Sequence, residues 1–155
     1  MKALFAGSFD PFTIGHLSIV RRVLKLTDEL VIGVGYNENK KYEWDTDKRV
    51  KAINKIFKDE KKIIVTKYKG LTVEFAKEIK ADVLIRGVRD VKDFETERNL
   101  ADINKRIGDI DTILIISEPE YSFISSSMVR ELKHNGYDYK EFIPDSFIGK
   151  QEHHE

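Results

Sequence analysis

MKALFAGSFDPFTIGHLSIVRRVLKL, residues 1–26, passes from strand to helix within one short connection. Ala3, Leu4, Phe5 and Ala6 form a run that is apolar on both faces, as a parallel strand covered by helices on each side requires. Leu17, Val20, Val23 and Leu24 then recur at the i, i+3, i+4 spacing of an amphipathic helix. The stretch GSFDPFTIGH, 7–16, joins them with a hydroxyl at Ser8, an Asp10-Pro11 turn pair, Gly7, Gly15 and His16. The glycines allow close backbone approach or unusual dihedral angles. His16 falls in the first turn of the helix, where the N-terminal dipole and free N–H groups favour an anion. A lone loop histidine is ordinarily inert; the hydroxyl and glycines beside this one set it apart.

The same alternation continues to the end of the chain. Further apolar runs of strand length are ELVIGVGY (29–36), KIIVTKY (62–68), DVLIRGV (82–88) and TILIISE (112–118), after ALFAGSF (3–9). Helical spacing separates them. Val50, Ile53, Ile56 and Phe57 follow the cap-type residues Asp45 and Thr46, and Val73, Phe75, Ala76 and Ile79 mark a short third helix. Phe94, Leu100, Ala101, Ile103 and Ile107 mark a fourth ending near Gly108, and a fifth runs from Ser125 to Asn135 with Gly136 as its stop. Five βα alternations without a linker or repeat predict an α/β fold. It is a single doubly wound, Rossmann-like domain with a five-stranded parallel sheet, over residues 1–150. The tail QEHHE, 151–155, is expected to be disordered, and its two histidines are assigned no role.

A chain of 155 residues buries roughly two-thirds of its unfolded surface as one domain. Lys+Arg and Asp+Glu both number 27, so no net charge advertises a nucleic-acid or membrane partner, and any anion site must be local. With no cysteine there is neither disulfide nor thiolate metal site. No signal-peptide pattern and no run long enough to span a bilayer are present, which predicts a cytoplasmic protein.

Doubly wound sheets bind ligands outside the carboxyl ends of their strands, so the loops after each strand carry the information. In RGVRDVKDFETE (86–97), Arg86 and Arg89 offer two guanidiniums suited to bidentate phosphate contact; a surface ion-pair network with Asp90, Asp93 and Glu97 is the plain alternative. In SFISSSMVRELK (122–133), three serines open a helix and supply hydroxyls and free N–H groups; ordinary capping would need only one. In NENKKYEW (37–44), Lys40 or Lys41 offers a point charge at the sheet end, although exposed lysine pairs are ordinarily just solvated. Neither the P-loop pattern nor the G-x-G-x-x-G fingerprint is present.

GSFDPFTIGH resembles the (T/S)-x-G-H signature of the nucleotidyltransferase superfamily of α/β-phosphodiesterases, and ISSSMV its second signature near the C-terminus. With T-x-G-H, IRGVRDVKDFETE and SFISSS in order, the chain closely resembles the bacterial phosphopantetheine adenylyltransferase family over nearly its whole length. The resemblance implies reversible transfer of the adenylyl group of ATP to 4′-phosphopantetheine, giving dephospho-coenzyme A and pyrophosphate with Mg²⁺, the penultimate step of coenzyme A synthesis. It implies that His16 contacts ATP phosphate and stabilises the transition state, and that Lys40 binds the attacking phosphate. Arg89 completes the catalytic set. Ser8, Phe9, Gly87, Val88, Arg89, Glu97 and the run Tyr121, Ser122, Phe123, Ile124, Ser125, Ser126 and Ser127 would line the ATP site. Ser8, Lys40, Thr72 and Arg86 would line the phosphopantetheine site. A homohexamer and feedback inhibition by coenzyme A are further family expectations.

A phosphate nucleophile is already ionised at neutral pH, so no general base is required and catalysis reduces to in-line placement and charge neutralisation. Fixed donors of that kind are worth roughly 3–4 kcal/mol each, about 10²–10³ in rate. Ser8 stands where the family more often has threonine, and Tyr121 where tryptophan is common. Other members of the superfamily, such as nicotinate-mononucleotide adenylyltransferases and cytidylyltransferases, usually carry H-x-G-H where Thr13 stands here. A non-catalytic nucleotide-binding module is the reading from another class, against which the intact Ser8, His16, Lys40 and Arg89 set speaks.

Overall fold

Apolar runs with no outward polar face must be covered from both sides, and the chain arranges its helices to do so. The computed structural model describes residues 1–149; the expected tail at 151–155 lies outside them. The strands are β1 (Lys2–Gly7), β2 (Glu29–Gly35), β3 (Ile63–Tyr68), β4 (Val83–Val88) and β5 (Asp111–Ile116). All pair in parallel, in the order β3-β2-β1-β4-β5. The chain winds outward from β1 to β3, then returns to lay β4 on the other side of β1. The β1/β4 pair, in register at Leu4↔Leu84, is therefore the point where strand order reverses and a crevice opens.

Helices α1 (Ile14–Val23), α2 (Thr46–Ile56), α3 (Thr72–Glu78), α4 (Val91–Gly108) and α5 (Ser126–His134) fill the connections. Thr13, Asp90 and Ser125 cap α1, α4 and α5 by accepting the backbone N–H three residues on. Asp45 occupies the cap position of α2 as expected, but its side chain makes no capping hydrogen bond. Period-two alternation divides the sheet residues between two cores. Phe5, Ile32 and Ile85 pack with Val20, Val23, Ile53 and Val129, while Leu4, Ala6, Val31 and Leu84 pack with Val73, Phe75 and Ala76. Each of the Val, Leu, Ile and Phe side chains among them, fully buried, contributes about 1.5–3 kcal/mol.

The fourth helix departs from expectation. Its apolar residues form a stripe, yet Phe94, Leu100, Ile103 and Ile107 remain 41–53% exposed. The helix stands off the sheet across a cavity of about 350 Å³ lined by Leu100, Ile103, Asn104 and Ile107 on one side and Leu4, Ala6 and Leu84 on the other. Periodicity identified the apolar face correctly; the gap beneath it leaves that face uncovered. Among the described residues no helix is long and apolar enough to cross a membrane.

Candidate active site

The connection from β1 to α1 is locked by its own side chains. Phe9 takes a left-handed backbone conformation (φ 50°), unusual for a residue with a side chain. Its ring is buried against Phe5, Phe12 and His16, at centroid distances of 5.2, 5.4 and 5.1 Å. Neither Gly7 nor Gly15 has a positive φ, and a Cβ on Gly15 would meet nothing closer than 3.4 Å. A Cβ on Gly7 would lie 3.1 Å from the Phe9 ring, so Gly7 makes room for that ring. Asp10 precedes a cis proline, Pro11. Its buried carboxylate accepts the backbone N–H groups of Glu43 and Trp44, each at 2.8 Å, and so binds the loop after β2.

Thr13 and His16 form a capping box at the start of α1. The Thr13 backbone N–H donates to His16 Nδ1 at 2.9 Å, so Nδ1 carries a lone pair and the ring proton sits on Nε2. Burial among the aromatic rings lowers the His16 pKa to about 3, with the nearby Arg86 and Arg89 charges acting in the same direction. At neutral pH the side chain is an uncharged Nε2–H donor at the edge of a cleft.

That cleft, about 300 Å³, lies at the carboxyl ends of β1 and β4. Arg86 Nε and Nη2 grip both oxygens of Glu97 at 2.7 and 2.9 Å, and Nη1 reaches the Ala6 carbonyl. Arg89 pairs in the same manner with Asp93. The ion-pair network weighed from the sequence is therefore real, and it forms the wall of the cleft; Asp90 caps α4 instead of joining it. The opposite wall is the start of α5. Its three serines have separate tasks: Ser125 caps, Ser126 Oγ donates to the Pro11 carbonyl at 2.7 Å, and Ser127 Oγ accepts from Arg130 Nη2. Arg130 Nη1 also donates to the Asp10 carbonyl. The first N–H groups of α5 thus face the same space as His16, Arg89 and Arg130.

Of the residues singled out by sequence, Ser8, Phe9, His16, Arg86, Gly87, Arg89, Glu97, Tyr121, Ile124, Ser125, Ser126 and Ser127 line this cleft. Five others do not. Val88 is buried in β4, Ser122 donates to the Pro119 carbonyl, and Phe123 packs edge-on against Phe142 while 62% exposed. Thr72 lines the cavity beneath α4 and hydrogen-bonds Tyr68 Oη at 2.9 Å. Lys40 is exposed in the loop after β2, its Nζ 5.4 Å from the Tyr42 ring centroid. Arg86 and Ala6 line both cavities. Thr13, Asp93, Ser117 and Arg130 line the cleft without having been named for it. Arg130 was legible: it stands four residues after Ser126, on the same helical face.

Residues 4–132 match the cytidylyltransferase-like family. The phosphopantetheine adenylyltransferase of Bacteroides fragilis is 50% identical over 143 residues, 92% of this chain and 95% of that protein. The enzyme of the same name from Phocaeicola vulgatus is 49% identical over 144 residues, 93% of this chain and 95% of its own length. Among solved structures, a bifunctional NMN adenylyltransferase/ADP ribose pyrophosphatase from Francisella tularensis, complexed with AMP and a manganese ion, superposes with a TM-score of 0.65. At 16% identity, covering 92% of this chain and 44% of that one, the likeness is one of fold.

Proposed function

This chain belongs to the phosphopantetheine adenylyltransferase family, and from that premise we infer that its cleft joins ATP to 4′-phosphopantetheine, releasing pyrophosphate and dephospho-coenzyme A. The observation that carries the reading is that a polar cleft and an apolar cavity share Arg86 and Ala6 in their walls. A triphosphate suits the first, where Arg89, Arg130, the His16 ring N–H and the start of α5 converge. The pantetheine arm, apolar with amide groups, suits the second, where Thr112 Oγ1 is buried without a hydrogen-bond partner. The acceptor phosphate then falls at that shared wall, near Arg86 and the Ser8 hydroxyl.

An oxygen of the acceptor phosphate attacks the α-phosphorus, and the bond from that phosphorus to the β-phosphate bridging oxygen breaks. No protein group has to remove a proton. His16 donates its Nε2–H to a phosphate oxygen, and Arg89 and Arg130 offset negative charge on the departing pyrophosphate. Arg86 and Arg89 are each held by a carboxylate, so both guanidiniums stand in place before substrate arrives, which limits the reorganisation the reaction needs. Lys40 would reach the acceptor phosphate from the β2 side.

Among the described residues no three acidic or histidine side chains converge on a point. The cleft carboxylates, Asp93 and Glu97, are engaged by arginines. In this reading Mg²⁺ would enter as the counterion of the ATP phosphates. Coenzyme A, with the product's nucleotide and pantetheine arm, would fill both cavities at once and act as a competing inhibitor. The exposed apolar side chains Val91, Phe94 and Ile116, which do not line that cavity, suit a subunit contact in a cytoplasmic homohexamer, which light scattering checks. The deciding experiment supplies ATP with several acceptors. Pyrophosphate release with phosphopantetheine supports this reading, and release only with nicotinate mononucleotide ends it.

A further inference from the structure

Arg49 is fully buried, and among the described residues no carboxylate forms an ion pair with it, Asp10 and Asp45 acting on it only through longer-range charge. Its donors go to four acceptors from four neighbouring segments: the Ser8 carbonyl in the turn after β1, the Gly35 carbonyl at the end of β2 (3.2 Å), the Trp44 carbonyl (2.9 Å) and Thr46 Oγ1 (2.9 Å) at the start of α2. Burial of a guanidinium is costly, and burial lowers the pKa of this one. Its five N–H donors, fixed in a planar fork, can meet several acceptors at set angles at once. Its Cζ also lies 4.0 Å from the Tyr42 ring centroid, and the same ring carries Lys40 Nζ at 5.4 Å. Tyr42 Oη in turn accepts the Asn37 N–H at 2.9 Å, closing the loop that bears Lys40. Asp10 completes the attachment by holding the N–H groups of Glu43 and Trp44.

We propose that Arg49 is a positioning residue for adenylyl transfer: through Tyr42 it fixes the stand of Lys40 relative to the phosphate turn at Ser8. The base of the loop, Tyr42 to Thr46, is tied to that turn by Arg49 and Asp10, while Asn37 to Lys41 stay exposed. One buried cation thereby makes the Ser8 turn and the Lys40 loop a single unit. The acceptor phosphate, which both are read to contact, meets them at a set separation. The proposal rests on reading Lys40 as a ligand of the acceptor phosphate.

The test has two arms on the full chain. In the first, native-state trypsin cleavage after Lys40 or Lys41 is timed in wild type, Arg49→Lys and Tyr42→Leu; both variants should be cut severalfold faster. In the second, kcat is measured for Arg49→Lys, Lys40→Ala and the double variant. Misplacement of a reacting group by about 1 Å costs roughly 10²-fold, so Arg49→Lys should lose on that order. The double variant should then be no slower than Lys40→Ala, because the same interaction has already been lost. A merely structural arginine predicts losses that multiply. Cleavage at the wild-type rate, or multiplying losses, overturns the proposal. Should Arg49→Lys fail to fold, Tyr42→Leu, at the half-buried base of the loop, carries both arms. A wild type that releases no pyrophosphate with phosphopantetheine ends the reading of the reaction, and the cleavage arm alone then decides whether the attachment exists.

Discussion

The loops after β1 and β2 leave the same end of the same sheet one strand apart, yet they are built in opposite ways. The first, Ser8 to Thr13, is packed on three phenylalanine rings and capped by a reciprocal Thr13–His16 pair. The second is exposed from Asn37 to Lys41; its base is tied down by Asp10, and its tip is held by the Asn37–Tyr42 hydrogen bond and an exposed Lys69–Glu38 pair. The contrast follows from the charges each carries. An uncharged donor such as His16 loses little by burial and gains strength in a low-dielectric site. A lysine ammonium is strongly hydrated and would lose its charge if buried alone. A donor meant to be preformed therefore sits in the locked turn, and one meant to meet an arriving anion sits on the open loop.

The largest break in this contrast comes from the locked side. His16→Ala should lower kcat by roughly 10²–10³, the usual cost of one preorganised donor, while far-UV circular dichroism stays that of the folded protein. Turnover near the wild-type value would remove His16 from the mechanism. On the open side the effect should discriminate between neighbours. Lys40→Ala should reduce turnover at least tenfold more than Lys41→Ala, by the same reasoning about one fixed donor. Equal losses would assign the role to the loop's general charge.

A smaller effect tests the link between cap and ring. Thr13→Val removes the hydroxyl that accepts the His16 N–H but keeps the backbone N–H that fixes the ring tautomer. Losing a cap of this kind costs about 1 kcal/mol, readable by denaturant unfolding, with turnover falling far less than in His16→Ala. A loss of activity as large as that of His16→Ala would mean that the hydroxyl itself touches substrate.

The locked half of this end of the molecule was legible in the sequence and the open half was not. Strand, turn and helix around GSFDPFTIGH follow from local chemistry, because Thr13, Gly15 and His16 interact within one turn. The three serines exceed what one cap needs, and each hydroxyl is engaged by a group of the protein: the Met128 N–H, the Pro11 carbonyl and Arg130. Lys40 is different: nothing in NENKKYEW says which way the loop leans, since that is set by Asp10 and Arg49, 30 residues upstream and nine downstream of it. Arg49 itself looks like one more charge on a polar helix. For α4, periodicity marked the apolar stripe but carried no information about what covers it. Chain-distant hydrogen bonds and empty volume are the parts that spacing cannot encode.

The last effect concerns pH. The unfolded chain's histidine titrates near 6.5, whereas the buried His16 ring resists protonation until about pH 3. Between those values the unfolded state binds a proton that the folded state refuses. Stability from this group is therefore complete above pH 6.5 and declines as pH falls toward 3. Denaturant unfolding at pH 7 and pH 4.5 should show a greater loss for wild type than for His16→Gln, which has nothing to protonate. Equal losses would mean that the ring accepts a proton where it stands. The locked turn would then carry a charge, as the open loop does, and the contrast between the two would reduce to one of mobility.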